Sequence, residues 1–210
     1  MDILVLDGEL VAKGQLAKLV ADAEQIVAAD GAAEHLAELG VTADVIIGDL
    51  DTADPAFIAE KLADKTTDAV QDTGQEKNDG EKGLDYLVSH GATDIVVLGA
   101  GGGMIDHVLN NFSILTRYAA ETRIRTIDER CVGYFVTDRL TIETTPEDRI
   151  SIIPMPGAQV TSSGLHWEVD GSAIAWGFRE GASNRATGNE VEIEIRNGTV
   201  VLFHYPASDD

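Results

Sequence analysis

The chain is predicted to form an amino-terminal α/β domain with a mostly parallel sheet, followed by an all-β carboxyl-terminal sandwich. Two patterns lead to this prediction. Up to about residue 126, short apolar runs alternate with segments of helical periodicity, which is typical of a parallel sheet covered by helices. Beyond that point helical periodicity disappears, and short alternating runs are separated by Gly, Pro and Asn. We therefore expect two domains, residues 1–126 and 127–210.

The first domain is predicted to be Rossmann-like and doubly wound, because each expected strand is followed by an expected helix. Gly40 stands where a helix end favours glycine, and Asp54-Pro55 offers a cap and a first-turn proline to the next helix. The expected strands are 3–6, 25–29, a run from Val45 that carries Asp49 and Asp51, 67–70 and 94–98; the expected helices are 15–23, 32–39, 56–62, 79–90 and 105–118.

The second domain is predicted to be an antiparallel sandwich, with a barrel as the alternative. The Asn197-Gly198 pair lies between two alternating runs and predicts a hairpin turn. The expected strands are 133–137, 140–143, 149–153, 159–161, 173–176, 190–195 and 199–204.

Composition limits the classes of partner. The net charge of −22 argues against nucleic acid, because phosphates would be repelled. No apolar run approaches the roughly 20 residues that span a bilayer, so we expect no membrane partner. The single cysteine, Cys131, excludes an internal disulfide, and no basic segment precedes the first strand. We expect a cytoplasmic protein without a signal peptide.

Acidic residues follow several of the expected strands. Asp49 and Asp51 would face the same side of an extended backbone, where two carboxylates about 4 Å apart repel by roughly 4 kcal/mol. A divalent cation with oxygen ligands would offset this repulsion. The alternative is that Asp-x-Asp only ends a strand and caps a helix. Because Asp7, Asp30 and Asp106 follow other strands, and ligands bind at the carboxyl ends of parallel strands, the pattern favours a metal–phosphate site.

A glycine-rich loop, Gly99–Gly103, lies between an expected strand and an expected helix. Backbone amides in such a loop can hold phosphate oxygens, although a tight turn explains the glycines equally well. The loop has neither the Gly-Lys-Ser/Thr ending of a Walker A sequence nor the spacing Gly-x-Gly-x-x-Gly. His107, in the first turn after the loop, is either a partner of a site residue or an ordinary surface residue.

Six segments, in order along nearly the whole chain, resemble the motifs of the thiamine pyrophosphokinase family. The family motifs are Ala-Asp-Gly-Gly, Ile-Gly-Asp-Phe-Asp-Ser, Gln-Asp-x-Thr-Asp, Gly-Gly-Arg-x-Asp-His-x-Leu-x-Asn, Gly-Leu-x-Trp and Thr/Ala-Ser-Asn. The matching segments here are 29–32 (Ala-Asp-Gly-Ala), 47–52 (Ile-Gly-Asp-Leu-Asp-Thr), 75–79 (Gln-Glu-Lys-Asn-Asp), 102–111 (Gly-Gly-Met-Ile-Asp-His-Val-Leu-Asn-Asn), 164–167 (Gly-Leu-His-Trp) and 182–184 (Ala-Ser-Asn).

The resemblance implies a Mg²⁺-dependent enzyme that transfers a diphosphate from ATP to the hydroxyl group of thiamine, giving thiamine diphosphate and AMP. It implies a homodimer with the site at the subunit interface. Mg²⁺ would be held by Asp49, Asp51 and Asp79, and Asp106 would orient the thiamine hydroxyl or accept its proton. The implied substrate contacts are Asp30 (at the metal or the ribose), Gln75, Asn78, Gly102, Gly103, Ser183 and Asn184. An aromatic surface for thiamine would come from Trp167 or Trp176, unless these residues are plain core.

The chain departs from the family pattern most clearly at Met104, where the family has an arginine that would bind phosphate. Milder departures are Asn78 for threonine, Glu76 for aspartate and Ala32 for glycine. The cations that could compensate are Lys77, Lys82 and Arg185.

Two other functions stay open at this point. One is a non-catalytic relative that binds thiamine or a nucleotide, because methionine cannot replace the charge of the arginine. The other is an Asp-x-Asp glycosyltransferase or phosphohydrolase on a similar sheet. The β-rich second half and the Asp106-His107 segment count against this last alternative.

Overall fold

A computed structural model describes residues 1–63 and 65–207. It divides into two compact units. The first contains residues 1–114 and 121–129, and the second contains residues 115–120 and 130–210. The predicted fold class is confirmed, since strands and helices alternate in the first unit and the second is built from antiparallel strands. No helix within the described ranges is both long and apolar enough to cross a membrane.

The first unit is built on six parallel strands in the order β6-β5-β1-β2-β3-β4. The strands are β1 (Asp2–Val5), β2 (Gln25–Ala29), β3 (Val45–Gly48), β4 (Asp68–Gln71), β5 (Asp94–Leu98) and β6 (Arg123–Ile127). The helices are α1 (Lys13–Ala21), α2 (Ala32–Glu38), α3 (Pro55–Ala63), α4 (Asp79–Ser89) and α5 (Ile105–Tyr118), whose last residues belong to the second unit. The central strands β1 and β5 are almost wholly buried, as expected of a parallel sheet covered on both faces.

The strand order reverses at β1, which pairs with β2 on one side and with β5 on the other. Chain segments therefore leave the sheet in opposite directions after β1 and after β5. A crevice forms at such a switch point, and it is the usual ligand site of open α/β sheets. The fold thus directs attention to the loops after these two strands, Asp7–Glu9 and Gly99–Gly103.

Local helix signals behave as the sequence predicts. The amide of Ala56 donates to Asp54 Oδ1 at 2.7 Å, which caps α3 before its first-turn proline. Gly40 follows the end of α2 with a φ of +85°. Helix α4 begins at Asp79 with Asn78 as its cap, since Asn78 Oδ1 accepts from the Glu81 amide at 2.8 Å.

Strand β6 was not predicted. It pairs in parallel with β5 from Asp94 opposite Arg123 to Leu98 opposite Ile127. Only Ile124 and Thr126 are buried in it, and arginine occupies two of the three alternate positions. So short a run with two buried side chains gives little strand signal in the sequence.

The second unit is organised by two long strands, β9 (Arg149–Ser163) and β12 (Glu190–Tyr205), which pair along nearly their whole length. The other strands are β7 (Val132–Val136), β8 (Arg139–Glu143), β10 (Ser172–Ala175) and β11 (Gly181–Arg185). One half of the long pair carries β7 and β11, and the other half carries β8 and β10. Buried apolar residues of both halves form one cluster, so the predicted sandwich is confirmed.

The predicted hairpin at Asn197-Gly198 is wrong, because both residues lie inside the continuous strand β12. The register of β12 against β9 shifts between Ile195 and Asn197 and again between Gly198 and Val200. Gly198 has a φ of +87°, and a Cβ there would lie 2.1 Å from the carbonyl oxygen of Gly157. A bulge requires the same left-handed glycine as a hairpin turn, so the dipeptide could not distinguish them.

Two other expected strands also form one continuous strand. The predicted runs 149–153 and 159–161 are parts of β9, which passes through Pro154 and Pro156 without ending. Strand β11 was not predicted, because Gly-Ala-Ser-Asn-Arg lacks apolar alternation.

Candidate active site

The loops that follow β1 and β5 contact each other at the switch point. The amide of Glu9 donates to the Gly101 carbonyl at 3.0 Å, and the Leu6 amide donates to the Leu98 carbonyl at 2.9 Å. A cleft of about 410 Å³ opens beside these loops. Its lining includes Asp7, Gly31, Asn78, Asp79, Gly103 and His107.

Three carboxylates form a cluster at the border of this cleft. One side-chain oxygen from each of Asp30, Asp49 and Asp51 lies within 4.8 Å of the others. Gly31 and Thr52, the sequence neighbours of Asp30 and Asp51, line the cleft itself. We call Asp30, Asp49 and Asp51 the acidic trio.

The prediction that Asp49 and Asp51 share one face of an extended strand is wrong in its geometry. Strand β3 ends at Gly48, and Leu50 has a left-handed φ of +61°. A tight turn therefore brings the two carboxylates together, where an extended backbone was expected. The sequence spacing pointed to the right pair, although the backbone conformation that joins them differs.

Asp30 stabilises this turn through hydrogen bonds from the backbone amides of the turn. It is fully buried, and its carboxylate accepts the Thr52 amide at 3.0 Å and the Ala53 amide at 3.2 Å. A buried carboxylate is stabilised by such backbone donors. Gly48 is required beside it, because a Cβ there would lie 2.8 Å from Asp30 Cβ and 3.0 Å from Asp79 Cγ.

The other two carboxylates of the trio, the half-buried Asp49 and the exposed Asp51, shift each other's pKa. A hydrogen bond between the side chains raises the pKa of Asp51, and the negative charge of Asp49 raises it further. The same hydrogen bond lowers the pKa of Asp49, with smaller contributions from Lys82 and from a hydrogen bond to Gln75. Opposite pKa shifts of this kind arise when two carboxylates lie so close that their charges repel and they share a hydrogen bond. Gln75, expected as a substrate contact, therefore lies beside Asp49.

Asp79 is placed next to the trio without belonging to it. Its Oδ1 accepts from Lys82 Nζ at 3.0 Å, and Lys82 also donates to the Asp72 carbonyl at 2.7 Å. Lys82 is only 4% exposed, whereas Asp79 itself lines the cleft, so the buried cation supports a carboxylate that faces the cleft. The metal-ligand role of Asp79 stays a prediction.

The other candidate cations lie elsewhere. Lys77 pairs with Asp85 at 2.5 Å, and Arg185 belongs to the second unit, where it contacts Glu147. Of the three cations considered for the missing arginine, Lys82 is the one that the structure pairs with a carboxylate of the cleft lining, Asp79.

The start of α5 completes the cleft. Gly102, Gly103 and Met104 line it, and Met104 is 62% exposed. Asp106 lies exposed in the first turn of the helix. Asn111, whose role was not assigned from the sequence, donates to the Ala100 carbonyl at 3.2 Å and so holds the glycine loop against the helix.

A second cleft, of about 390 Å³, lies in the second unit. Trp167 and Ser183 line it together with Ile174, Arg179 and Glu180. Trp167 is 66% exposed, so it is not plain core. Trp176 is also largely exposed, but it is not among the residues described as lining this cleft.

Ser183 and Asn184 have different environments. Ser183 has a left-handed φ of +62°, and its Oγ accepts from Arg149 Nη2 at 2.8 Å. Asn184 is buried, and its side chain is hydrogen-bonded to the backbone of Trp167. The sequence could not show this contact, since the two residues are separated by 17 positions.

The fold and the two clefts define an α/β protein with an acidic site at the switch point of a parallel sheet and an appended β-sandwich. The family model "Thiamin pyrophosphokinase, catalytic domain" matches residues 16–127, and "Thiamin pyrophosphokinase, vitamin B1 binding domain" matches residues 139–200. The chain belongs to the thiamin pyrophosphokinase family.

Two curated relatives from Oryza sativa subsp. japonica are similar over most of the chain. Thiamine pyrophosphokinase 1 is 28% identical over 155 residues, which are 67% of this chain and 58% of the relative. Thiamine pyrophosphokinase 3 is 28% identical over 174 residues, which are 76% of this chain and 64% of the relative. The chain thus spans less than two thirds of the length of these relatives.

Solved structures share the fold. Thiamine pyrophosphokinase from Bacillus subtilis superposes with a TM-score of 0.83 at 19% identity, covering 99% of this chain and 100% of that one. Thiamin pyrophosphokinase from Geobacillus thermodenitrificans superposes with a TM-score of 0.80 at 23% identity, covering 100% of this chain and 99% of that one. At these identities the likeness establishes the fold.

Proposed function

We propose that the protein transfers a diphosphate from ATP to the hydroxyl group of thiamine, producing thiamine diphosphate and AMP. The observation that carries this proposal is the acidic trio at the border of the switch-point cleft, in a chain that belongs to the thiamin pyrophosphokinase family. The proposed nucleotide domain is residues 1–126, and the proposed thiamine domain is residues 127–210.

The trio suits Mg²⁺, because it offers carboxylate oxygens close enough to share one hard cation. Asp30, Asp49 and Asp51 would hold the ion, with Asp79 beside them. When bound, the ion neutralises the phosphate charges that an acidic protein would otherwise repel. Asp30 is fixed by two amides, so its carboxylate is already oriented beside the other two.

The remaining residues of the first cleft would position ATP. Gly102 and Gly103 line the cleft just before α5, and the start of a helix favours phosphate oxygens. Gln75 would keep Asp49 oriented, and Asn78 would cap α4 at the edge of the cleft.

The proposed chemistry is an in-line displacement at the β-phosphorus of ATP. The oxygen of the thiamine hydroxyl forms a bond to the β-phosphorus, and the bond from that phosphorus to the oxygen bridging to the α-phosphorus breaks. AMP leaves with the bridging oxygen. The hydroxyl proton passes to a base, and the exposed carboxylate of Asp106 is the proposed acceptor.

Thiamine is proposed to bind the second cleft. Its thiazolium ring is a cation, and the exposed face of Trp167 can attract it. Glu180 lines the same cleft and favours a positive ligand, while Ser183 offers a hydroxyl at its edge.

We further propose a cytoplasmic homodimer with the site at the subunit interface. Ile105 is 77% exposed and Leu109 lies one turn later on α5, and apolar side chains of this kind are ordinarily covered by a partner. The single cysteine, Cys131, is consistent with a reducing compartment.

The test is an assay of purified protein with ATP, Mg²⁺ and thiamine, in which AMP, phosphate and thiamine diphosphate are all measured. We expect AMP and thiamine diphosphate to appear in equal amounts, and only when thiamine is present. Binding of thiamine without AMP would show a non-catalytic relative. Phosphate release that does not need thiamine would show a hydrolase, and either outcome would overturn the proposal.

A further inference from the structure

We infer that Asn184 is a positioning residue: it holds the backbone of Trp167 so that the indole lines the second cleft. The inference rests on the proposed function, because thiamine is the ligand proposed there. Asn184, which the resemblance implied as a substrate contact, also lies in the lining of this cleft, so the positioning role adds to that expectation.

The side-chain amide of Asn184 is hydrogen-bonded to the backbone of neighbouring residues. It is 5% exposed, and its Oδ1 accepts the Trp167 amide at 3.1 Å and the Arg185 amide at 2.9 Å. Its Nδ2 donates to the Trp167 carbonyl at 2.6 Å. Both backbone polar groups of Trp167 are therefore bonded to one buried amide, which fixes the position and the orientation of that peptide segment.

The turn that carries Trp167 is also stabilised by hydrogen bonds that do not involve Asn184. Glu168 accepts the Leu165 amide at 2.8 Å and the Ser162 hydroxyl at 2.5 Å, and the His166 amide donates to the Arg185 carbonyl at 3.0 Å. Trp167, the one large aromatic side chain among the described residues that line this cleft, thus lies on a turn held by several hydrogen bonds. A rigid turn that exposes an indole is what a preorganised binding site requires.

The expected consequence concerns thiamine and not ATP. When the amide of Asn184 is replaced, the Trp167 segment gains freedom, and thiamine must order it again on binding. The affinity for thiamine should fall about tenfold, which corresponds to about 1.4 kcal/mol. ATP is proposed to bind in the other unit, so its KM should not change.

The test uses the full chain with Trp176→Phe, which leaves Trp167 as the single tryptophan, since the sequence has two. In this background Asn184→Asp keeps the acceptor oxygens and removes the donor to Trp167, while Asn184→Leu removes all the polar contacts. Thr144→Val is the matched control, because it removes one side-chain hydrogen bond to the Gly188 carbonyl in the same unit, away from the cleft lining. Far-UV circular dichroism establishes which variants fold.

Two readouts decide the matter. Acrylamide quenching of Trp167 fluorescence in ligand-free protein should change in both Asn184 variants and not in Thr144→Val. The KM for thiamine should rise about tenfold with the KM for ATP unchanged. Folded Asn184 variants with unaltered quenching and unaltered thiamine KM would overturn the inference; if Asn184→Leu does not fold, Asn184→Asp decides. Should the parent protein prove unable to use thiamine, the proposed function fails, and the quenching experiment still tests the positioning of Trp167.

Discussion

The acidic residues at the switch point differ in what holds their side chains: backbone amides hold one of them, and the other two are hydrogen-bonded to each other. Asp30 is buried and receives two backbone hydrogen bonds, whereas Asp49 is half-buried, Asp51 is exposed, and their side chains are hydrogen-bonded to each other. The arrangement resembles a cation site in which Asp30 stabilises the turn and Asp49 and Asp51 supply further oxygen ligands. Each residue can therefore be tested by itself.

Asp51→Asn should reduce diphosphate transfer by about a hundredfold or more, since the loss of one preorganised electrostatic contact typically costs that much. The metal-free variant should be as stable as the parent or slightly more stable, because one negative charge is removed from the trio. The measurements are kcat and the melting temperature in a chelator. Asp68→Asn, which removes an exposed carboxylate from β4, is the control and should change neither. Parental activity in Asp51→Asn would contradict the proposed metal site.

Met104→Arg should raise kcat/KM for ATP about tenfold, since a charge-assisted hydrogen bond contributes about 1.5–3 kcal/mol. Met104 is exposed and lines the cleft, so the guanidinium has room to reach bound phosphates. Met104→Gln is the control for side-chain length without charge. If kcat/KM for ATP is no higher in Met104→Arg than in Met104→Gln, Lys82 already supplies the charge. The replacement of the family arginine by methionine then has no effect on the use of ATP.

Asp148 provides a pH-dependent prediction in the second unit. Burial would raise its pKa, but hydrogen bonds from the Thr145 amide, His204 and the Ala207 amide lower the pKa below its ordinary value. A lowered pKa contributes stability above the unfolded value of about 3.9, and that stability is lost as the pH falls through the folded pKa.

Asp148→Asn should therefore destabilise the protein by about 2 kcal/mol at pH 7, with a difference that shrinks as the pH approaches about 3. Urea unfolding of both proteins between these pH values measures it. A difference that stays constant with pH would show that the carboxylate charge contributes nothing.

Among the elements, the long strands β9 and β12 determine the shape of the sandwich. Each serves both layers and changes partners near its middle, where their mutual register shifts. Gly198 is central to this change, because a left-handed backbone and a close carbonyl coincide there.

Gly198→Ala should destabilise the protein by about 3 kcal/mol, since it combines an unfavourable φ with a steric clash. Gly177→Ala is the matched control: its φ is +72°, but nothing lies within 4 Å of an added Cβ, so it should cost only about 1 kcal/mol. The free energies of unfolding in urea give the comparison. Equal costs would mean that the contact with Gly157 has no energetic weight.

The elements also show where sequence reasoning succeeds and where it stops. Strands β2 and β5 and helix α5 lie at the predicted bounds, because apolar runs and flanking glycines identify them without tertiary information. The Asn197-Gly198 pair was misassigned, since a local dipeptide specifies a positive φ and not the direction in which the chain continues.

Site residues follow the same distinction. Spacing brought Asp49 and Asp51 together correctly, whereas the turn geometry and the support from Asp30 depend on residues about 20 positions apart. The pairing of Asp79 with Lys82 is local, because both residues lie on α4. The approach of Asp79 to Asp30 instead depends on Gly48 of β3, where there is no room for a side chain between them. Contacts between distant segments require the fold.

At the scale of the whole molecule, charge opposes association. Two chains with a net charge of −22 each repel, and salt screens this repulsion over about 10 Å at 0.1 M. The exposed apolar residues of α5 favour association, so the balance should depend on ionic strength.

We predict a dimer whose population increases with salt. Light scattering at micromolar concentration should give twice the chain mass of 22.4 kDa at about 0.5 M NaCl, with more monomer at about 0.02 M. Monomer mass at every salt concentration would contradict the proposed homodimer.

The central claim is that the molecule transfers an intact diphosphate to thiamine. The most direct measurement follows ATP labelled with ³²P at either the β or the γ phosphate, incubated with Mg²⁺, thiamine and the protein. Both labels should enter thiamine diphosphate and leave AMP unlabelled. Transfer of the γ label without the β label, or release of the γ label as free phosphate, would contradict the claim.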